Sequence, residues 1–417
     1  MNMKSADSLL LIEHGGFRKG FLMDSLRRNG IELYLATNHL EDWVLRYIPA
    51  ERVFHTDTYS SVRLLADIVT ITEEHGLNFS GVGTFWEHNV TQAADLAAAL
   101  DLPGAPPGAV RRSSSNKLLM RQYCRRAGIP TPRLQIVRGL ETLPEVLRRF
   151  PTPAVIKPLF GVTSLGVMKI ENQSDLATVA SECQYTWSAA QPAYRNFPDV
   201  WLLEEYLPGI VVSVDGIVQA KRIHFAGVVE IGMGPEPHFV QCANWLPARI
   251  TAAQTQSCFE LAERIITALG LDNCGFHCEL RLPAQGRPQL IEIAARLPGG
   301  LIPEAYLHAY GFDLAIAMAN IWLGRPATLT RTNLSYITQK GVYGDRCAQV
   351  AGYDGLDAVN RIEGLWSLEI VTKPGELIVT CPDVPKPLYV YSIEASSAEE
   401  RDTKERQVEI TVKVRLS

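Results

Sequence analysis

The sequence predicts an α/β protein, with an open parallel sheet at its N-terminus and a smaller mixed α+β, lid-like portion at its C-terminus. Three observations carry that expectation. Residues 8–36 run strand, glycine turn, helix, strand, the usual beginning of a parallel sheet. Gly275 to Gly300, GFHCELRLPAQGRPQLIEIAARLPGG, alternates polar and apolar residues twice around a Gly-Arg-Pro turn, the pattern of an antiparallel hairpin. Beyond Gly324 the texture changes to short strands with one charged helix.

Composition bounds the rest. A chain of 417 residues is long enough for two or three domains with substantial cores. A net charge of -5 provides no global basic field, so nucleic acid is not an expected partner. The start, MNMKSADSLLLIEHGG, lacks signal-peptide architecture, and the longest apolar run, Leu314 to Leu323, falls short of the roughly 18 residues that a membrane span needs. The eight cysteines are scattered, as in a reduced intracellular protein; Cys274 and Cys278 flank His277, but no second cluster completes a zinc site. A cytoplasmic protein without a membrane partner is expected.

Taken in order, Ser8 to Glu13 reads as a strand, Lys19 to Asn29 as a helix stopped by Gly30, and Ile31 to Ala36 as the next strand. Gly15-Gly16 lacks the spaced glycines of a dinucleotide fingerprint, so a structural turn is the better reading. Helices follow over Ser61 to His75 and Asn89 to Leu100, and the Pro/Gly-rich stretch near Gly108 ends a first domain of residues 1–108. A second unit spans 109–325, with a glycine-loop subdomain over about 133–208, and a third spans 326–417.

Within the second unit, Asn116 to Ala127 is a helix that begins with Lys117 and ends at Gly128. Ala154 to Lys157 is a strand followed by LFGVTSLGVMKI, where Gly161, Ser164 and Gly166 let backbone amides approach an anion before Val167 resumes a strand. Lys157 is placed to reach phosphates under that loop; an ordinary flexible hairpin with a surface lysine fits the same letters. Val200 to Tyr206 leads into a Leu-Pro-Gly connector, where backbone groups can read an adenine edge and Glu204 can accept from the exocyclic amine. Gln254 to Leu269 is an amphipathic helix, and Pro303 to Leu323 a mostly apolar one. In the third unit, strands are expected at Ser367 to Val371, Glu376 to Thr380, Leu388 to Ile393 and Val408 to Val414, with a helix over Ser397 to Arg406.

In the hairpin, Glu279 and Glu292 fall opposite one another, and Arg296 follows four residues later. Two carboxylates and a guanidinium on one face make a poor core and a good site for a hard cation carrying phosphate oxygens. A solvated strand face is the plain alternative.

A basic residue opening a helix, a second before a glycine loop, a connector with paired glutamates, and two strands carrying Glu-Arg chemistry resemble the ATP-grasp superfamily in its carboxylate-amine ligase branch. The resemblance runs over nearly the whole chain, and its C-terminal portion is similar to that of L-amino-acid ligases. It implies an ATP-grasp fold whose N-terminal sheet is the pre-ATP domain. ATP with Mg2+ or Mn2+ would be the cofactors. The reaction would be amide or peptide bond formation through an acyl phosphate, with amino acids as carboxylate and amine substrates; a homodimer is compatible with it.

The resemblance places Lys117 and Lys157 on the nucleotide phosphates and Gly161 to Val167 as the phosphate loop. Glu204 with the Glu205, Tyr206 and Leu207 backbone would hold adenine. Glu279 and Glu292 would ligate the metal, and Arg296 would face the acyl phosphate and tetrahedral intermediate. His277 and Arg281 would face the pocket, and Glu230 the incoming amine. Two positions depart from the pattern. Val211 stands where the family often has a ribose-binding glutamate, which leaves Asp215 as a substitute, and Ala294 replaces a metal-ligand asparagine. Trp187, Trp201 and Trp245 either line an apolar substrate pocket or pack the core. Carboxylation or ligation of another small metabolite, and a non-catalytic nucleotide-binding regulator, are the alternatives to amino-acid ligation.

Overall fold

The computed structural model describes residues 7–114, 116–161, 164–189, 199–380 and 385–417, with the side chains of 17 and 186–189 left aside. Residues 162–163 of the glycine loop, the Trp187 side chain and Cys381 therefore lie outside the described residues.

The N-terminal layer is a parallel sheet of β1 (Ser8–Ile12), β2 (Glu32–Thr37), β3 (Val53–His55) and β4 (Gly81–Gly83) in the order β3-β2-β1-β4. β1 is buried along its whole length, because helices cover both faces of a parallel sheet and leave no solvated side. Those helices are α1 (Gly20–Arg28), α2 (Ser61–His75) and α3 (Val90–Ala99). α2 has the termini its sequence promises: Ser60 accepts from the Arg63 amide, and Gly76 closes it at φ 61°. α4 (Pro107–Ser113) and α5 (Lys117–Arg126) then lead out of this layer, α5 capped by the Asn116 side chain on the Leu119 amide.

A second, antiparallel sheet holds β5 (Leu134–Arg138), β6 (Ala154–Pro158), β7 (Met168–Ile170) and β8 (Val200–Glu205), in the order β5-β8-β6-β7. With α6 (Leu143–Leu147) and α7 (Leu176–Ala189) it builds its own core around Val137, Ile156 and Leu203. Trp201 is 1% exposed and packs in that core.

The third layer is an eight-stranded sheet. It contains β9 (Ile210–Gln219), β10 (Arg222–Met233), β11 (Gln241–Leu246), β12 (Cys274–Leu282), β13 (Gln289–Ala294) and β14 (Tyr336–Val342). β15 (Val350–Asp354) stands apart, β16 (Leu365–Ile370) and β17 (Tyr389–Ala395) complete the sheet, and β18 (Lys413–Leu416) pairs with β15. The order β13-β12-β9-β10-β11-β14-β17-β16 carries three strands from beyond residue 325 into the sheet that bears the hairpin. A division at 325/326 therefore separates chain segments, while the hydrogen bonding runs across it. α8 (Ala252–Leu269) buries Cys258, Leu261, Ala262, Ile265, Ile266 and Leu269 against one face.

Several local expectations fail for identifiable reasons. The helix expected over 303–323 is two, α9 (Ile302–Tyr310) and α10 (Leu314–Trp322). Gly311 ends the first at φ 76°, and Asp313 caps the second through the amides of Ala315 and Ile316. Glu376–Thr380 contributes only an isolated bridge from Leu377 to Gln349. Val408–Val414 looked like a strand because Val408, Ile410, Val412 and Val414 alternate. Most of it is instead the end of α12 (Ala398–Thr411), which follows the short α11 (Leu356–Val359). Val408 and Val412, four apart, are buried while Ile410 is 65% exposed, which is helical spacing. The long strand β10 carries a register shift between Phe225 and Gly227, which interrupts its alternation.

Candidate active site

Two cavities meet where the three layers converge. The first, of about 790 Å³ including its open mouth, lies between the β6–β7 loop, the end of β8 and the β12–β13 hairpin. The second, of about 1360 Å³, extends from the hairpin to the turn before α1 and the segment after β4. Lys117, Gly161, Ser164, Glu279 and Glu292 line both and form the seam.

The hairpin places the two glutamates as its alternation predicts. Glu279 pairs directly with Glu292 across β12 and β13, and a register shift follows immediately after Glu279. Lys117, at the first position of α5, sends its ammonium to the Gly161 carbonyl at 3.2 Å and to Glu292 at 3.3 Å. Burial works to raise the Glu292 carboxyl, but the nearby Lys117 and Lys157 ammonium groups outweigh it and hold the pKa below the usual range. Glu279 accepts from Gln241 Nε2 at 3.3 Å and lies 3.1 Å from His277 Nε2.

His277 Nδ1 is 2.6 Å from Asp215, whose other oxygen accepts from Ser213 at 2.9 Å and Tyr306 at 3.0 Å. Burial disfavours the imidazolium, yet the flanking carboxylates of Asp215 and Glu279 prevail and raise its pKa to about 9. Asp215 is fully buried and committed to these partners, so it does not stand in for a ribose ligand. Val211 lines the first cavity and Ala294 the second, each adding an apolar wall where a polar group was absent from the sequence.

Glu204 and Lys157 form the floor of the first cavity. Lys157 Nζ lies 2.5 Å from Glu204, and Arg121 grips the same carboxylate through Nε and Nη2, both at 2.9 Å. Burial alone would raise the Glu204 carboxyl; the two cations bring its pKa down to about 2. Burial lowers Lys157 to about 8 despite Glu204, because that single negative charge is shared with Arg121. Glu204 thus lines the cavity with both oxygens already engaged by cations. The amides of Glu205 and Tyr206 are bonded to the Arg133 and Pro153 carbonyls, whereas the Leu207 amide has no partner among the described residues. Arg121 was not foreseen, although its position four residues after Lys117 puts both on one helix face.

The loop after β6 brings Gly161, Ser164 and Val167 to the first cavity, with Ser164 at φ 57° and Gly166 at φ 70°. Gly166 itself lines neither cavity; its carbonyl accepts from the Cys183 thiol at 3.7 Å. Arg281 lines the first cavity and donates to the Gly209 carbonyl at 2.7 Å; burial lowers its pKa. Arg296 lines the second cavity, with Nε on Glu87 and Nη1 on the Leu297 carbonyl at 2.7 Å.

Glu230 does not join them. It lies outside the lining of both cavities, and Arg249 holds its two oxygens through Nη2 at 2.5 Å and through Nε and the backbone amide at 3.0 Å. The expectation that it meets an amine is therefore corrected. Trp245 is likewise structural: its Nε1 donates to Glu405 at 2.9 Å and the Arg249 guanidinium stacks on it at 3.7 Å.

Among the described residues, no group of three or more His, Cys, Asp or Glu side chains is disposed to hold a metal by itself. Two facing carboxylates on a seam lined by Lys117 do suit Mg2+, which takes one or two carboxylates and completes its shell with water and phosphate oxygens.

An ATP-grasp domain family matches residues 150–304, the segment that supplies the loop, the β8 connector and the hairpin. Those residues form an ATP-grasp domain. The whole length of the chain superimposes on an L-amino acid ligase from Bacillus licheniformis, with a TM-score of 0.83 at 18% identity covering 100% of both chains. That likeness concerns the fold. Carnosine synthase 1 of Gallus gallus is 30% identical over 335 residues, which are 77% of this chain and 36% of that protein. Alanine–anticapsin ligase of Bacillus subtilis (strain 168) is 25% identical over 274 residues, 62% of this chain and 56% of that ligase. The chain thus spans about a third of the first relative and just over half of the second. No helix among the described residues is long and apolar enough to cross a membrane.

Proposed function

We propose that the chain is an ATP-dependent carboxylate-amine ligase that joins amino acids through an acyl phosphate and releases ADP and phosphate. The observation that carries this reading is the seam: Lys117, Glu279 and Glu292 line both a nucleotide-sized cavity and the cleft that contains Arg296. The names of the relatives, which are amino-acid and peptide ligases, support the same reading.

A free carboxylate resists attack by an amine because its leaving group would be oxide-like. Phosphorylation replaces that leaving group with phosphate. In the first cavity Lys117 and Lys157 would hold the nucleotide phosphates, the 161–167 loop would fold over them, and the Leu207 amide would meet the adenine edge. Mg2+ held by Glu279 and Glu292 would neutralise charge on the transferred phosphoryl group. The carboxylate substrate would approach from the second cavity, on the other side of the seam. The amine then attacks the acyl carbon, phosphate departs, and the Arg296 guanidinium, oriented by Glu87, would stabilise the oxyanion. Closure of the loop would exclude water, which competes for the acyl phosphate.

The test is phosphate release from Mg-ATP across a matrix of amino acids, singly and in pairs, with products weighed by mass spectrometry. Release that requires two amino acids and gives a condensation product supports the proposal. Silence throughout the matrix with measurable ATP binding overturns it.

A further inference from the structure

Among the described residues, the second cavity contains one cation without a counter-charge. Lys19 lies at the entry to α1, is 6% exposed and lines this cavity. Its ammonium makes no hydrogen bond or ion pair with the described residues. The carboxylates that line the cavity are engaged elsewhere: Glu87 with Arg296, Glu292 with Lys117, and Glu279 with His277 and Gln241. The charge that bears on Lys19 is another cation. Burial first, then the Arg296 guanidinium, lower its pKa to about 7. The same two influences take His88 to about 4, so its ring supplies no charge at neutral pH. A buried unpaired cation is costly, and a ligand anion is the missing partner.

The position of Lys19 is also built. A Cβ added at Gly15, where φ is +69°, would lie 3.2 Å from Lys19 Cγ and 3.4 Å from Trp86 Cε3. The lysine stem and the indole therefore both rest on Gly15. His88 meets Trp86 edge-on at 5.0 Å, so an aromatic pair lines the cavity on the side of the lysine stem. This places a cation and an apolar surface together at the Arg296 end of the cleft.

On the ligase reading above, we propose that Lys19 binds the carboxylate of the amine-bearing substrate. The acceptor is then an amino acid or another amine that carries a carboxylate, and not a simple amine. One substrate carboxylate must reach the phosphoryl group at the seam and be consumed. The other must be kept from it, and Lys19 sits with Arg296 rather than with the paired glutamates.

The test compares wild type, Lys19→Met and Lys19→Arg in steady state with the condensing pair found in the matrix. It uses the acceptor and its carboxamide. Lys19→Met is expected to raise the acceptor KM roughly 10- to 100-fold, the worth of one charge-assisted hydrogen bond. The KM for ATP and for the activated acid should stay within about twofold, and Lys19→Arg should recover part of the loss. Wild type should prefer the acid acceptor over its carboxamide, and Lys19→Met should not. A rise in KM for the activated acid instead, or an undiminished preference for the acid acceptor, overturns the proposal. Should wild type condense no pair, the ligase reading fails by itself. Calorimetric titration of glycine, L-alanine and L-phenylalanine then decides the site: binding lost in Lys19→Met supports it, and equal binding, or none to either protein, removes it.

Discussion

The two cavities share a wall and differ in how their charges are satisfied. In the first, the Glu204 carboxylate holds both Arg121 and Lys157 at 2.5 to 2.9 Å, and Lys117 rests on Glu292. In the second, Arg296 is held by Glu87, whereas Lys19 feels the Arg296 charge and has no ion-pair partner among the described residues. A closed network is organised before any ligand arrives, and it can hold a constant cosubstrate in one geometry. An open one gains its last partner from the ligand, which is how a site can select among variable substrates.

The largest expected effect tests the closed side. Arg121→Met removes two hydrogen bonds to Glu204 and leaves a carboxylate that is 4% exposed with Lys157 alone. Breaking a buried ion network in this way costs about 3–5 kcal/mol, readable as a shift in urea midpoint. Lys19→Met is expected to leave the midpoint unchanged or raise it, since it removes an unpaired buried cation. Equal losses in the two variants would erase the contrast between the cavities.

Next in size is a loss of rate without a loss of fold. Glu292→Gln keeps the shape of the seam and removes the charge that faces Glu279 across the hairpin. A kcat lower by roughly 10²- to 10³-fold is the expected result, by analogy with removing one electrostatic contact at a reacting centre. The unfolding midpoint should be lowered but the transition still cooperative, because Lys117 loses its partner. A kcat within a few-fold of wild type would take the metal role from this glutamate.

How far the sequence reveals these features depends on the range of the forces involved. Period-two alternation gives the hairpin and the opposition of Glu279 and Glu292, because strand geometry is local. The Ser61–His75 helix is equally legible from its serine cap and terminal glycine. The ion partners are not, since Arg121 and Glu204 lie 83 positions apart and only the fold brings them together. The same distance blindness turned Glu230 into a candidate ligand, although it belongs to Arg249. Lys19 gave no signal because its meaning rests on what it lacks, and that requires the neighbouring side chains to be placed.

Acid provides a gentler probe of the closed network. The Glu204 pKa falls from 4.5 to about 2 on folding, so its contribution to stability is present above pH 4.5 and is lost as pH falls toward 2. The stability gap between wild type and Glu204→Gln should therefore be widest near neutrality and should narrow between pH 4.5 and pH 2. Urea unfolding of both proteins at pH 7 and pH 3 measures it. A gap that stays constant would mean that the carboxylate is not held ionised by Arg121 and Lys157.

The smallest expected effect concerns a buried charge outside both cavities. Glu230 resembles the residues of the closed network in being 7% exposed and gripped by an arginine. It differs in location, since it borders neither cavity and its partner Arg249 stacks on Trp245 instead of approaching a ligand. Glu230→Gln retains the side-chain shape and one acceptor oxygen, so a stability loss of about 1 kcal/mol is expected for weakening a half-exposed pair. The kcat and the KM values should remain within about twofold of wild type, because no substrate atom depends on that carboxylate. A selective rise in the acceptor KM would return Glu230 to the substrate site. It would also show that the second cavity reaches farther along β10 than its lining indicates, and that Lys19 shares the task of holding the amine-bearing substrate.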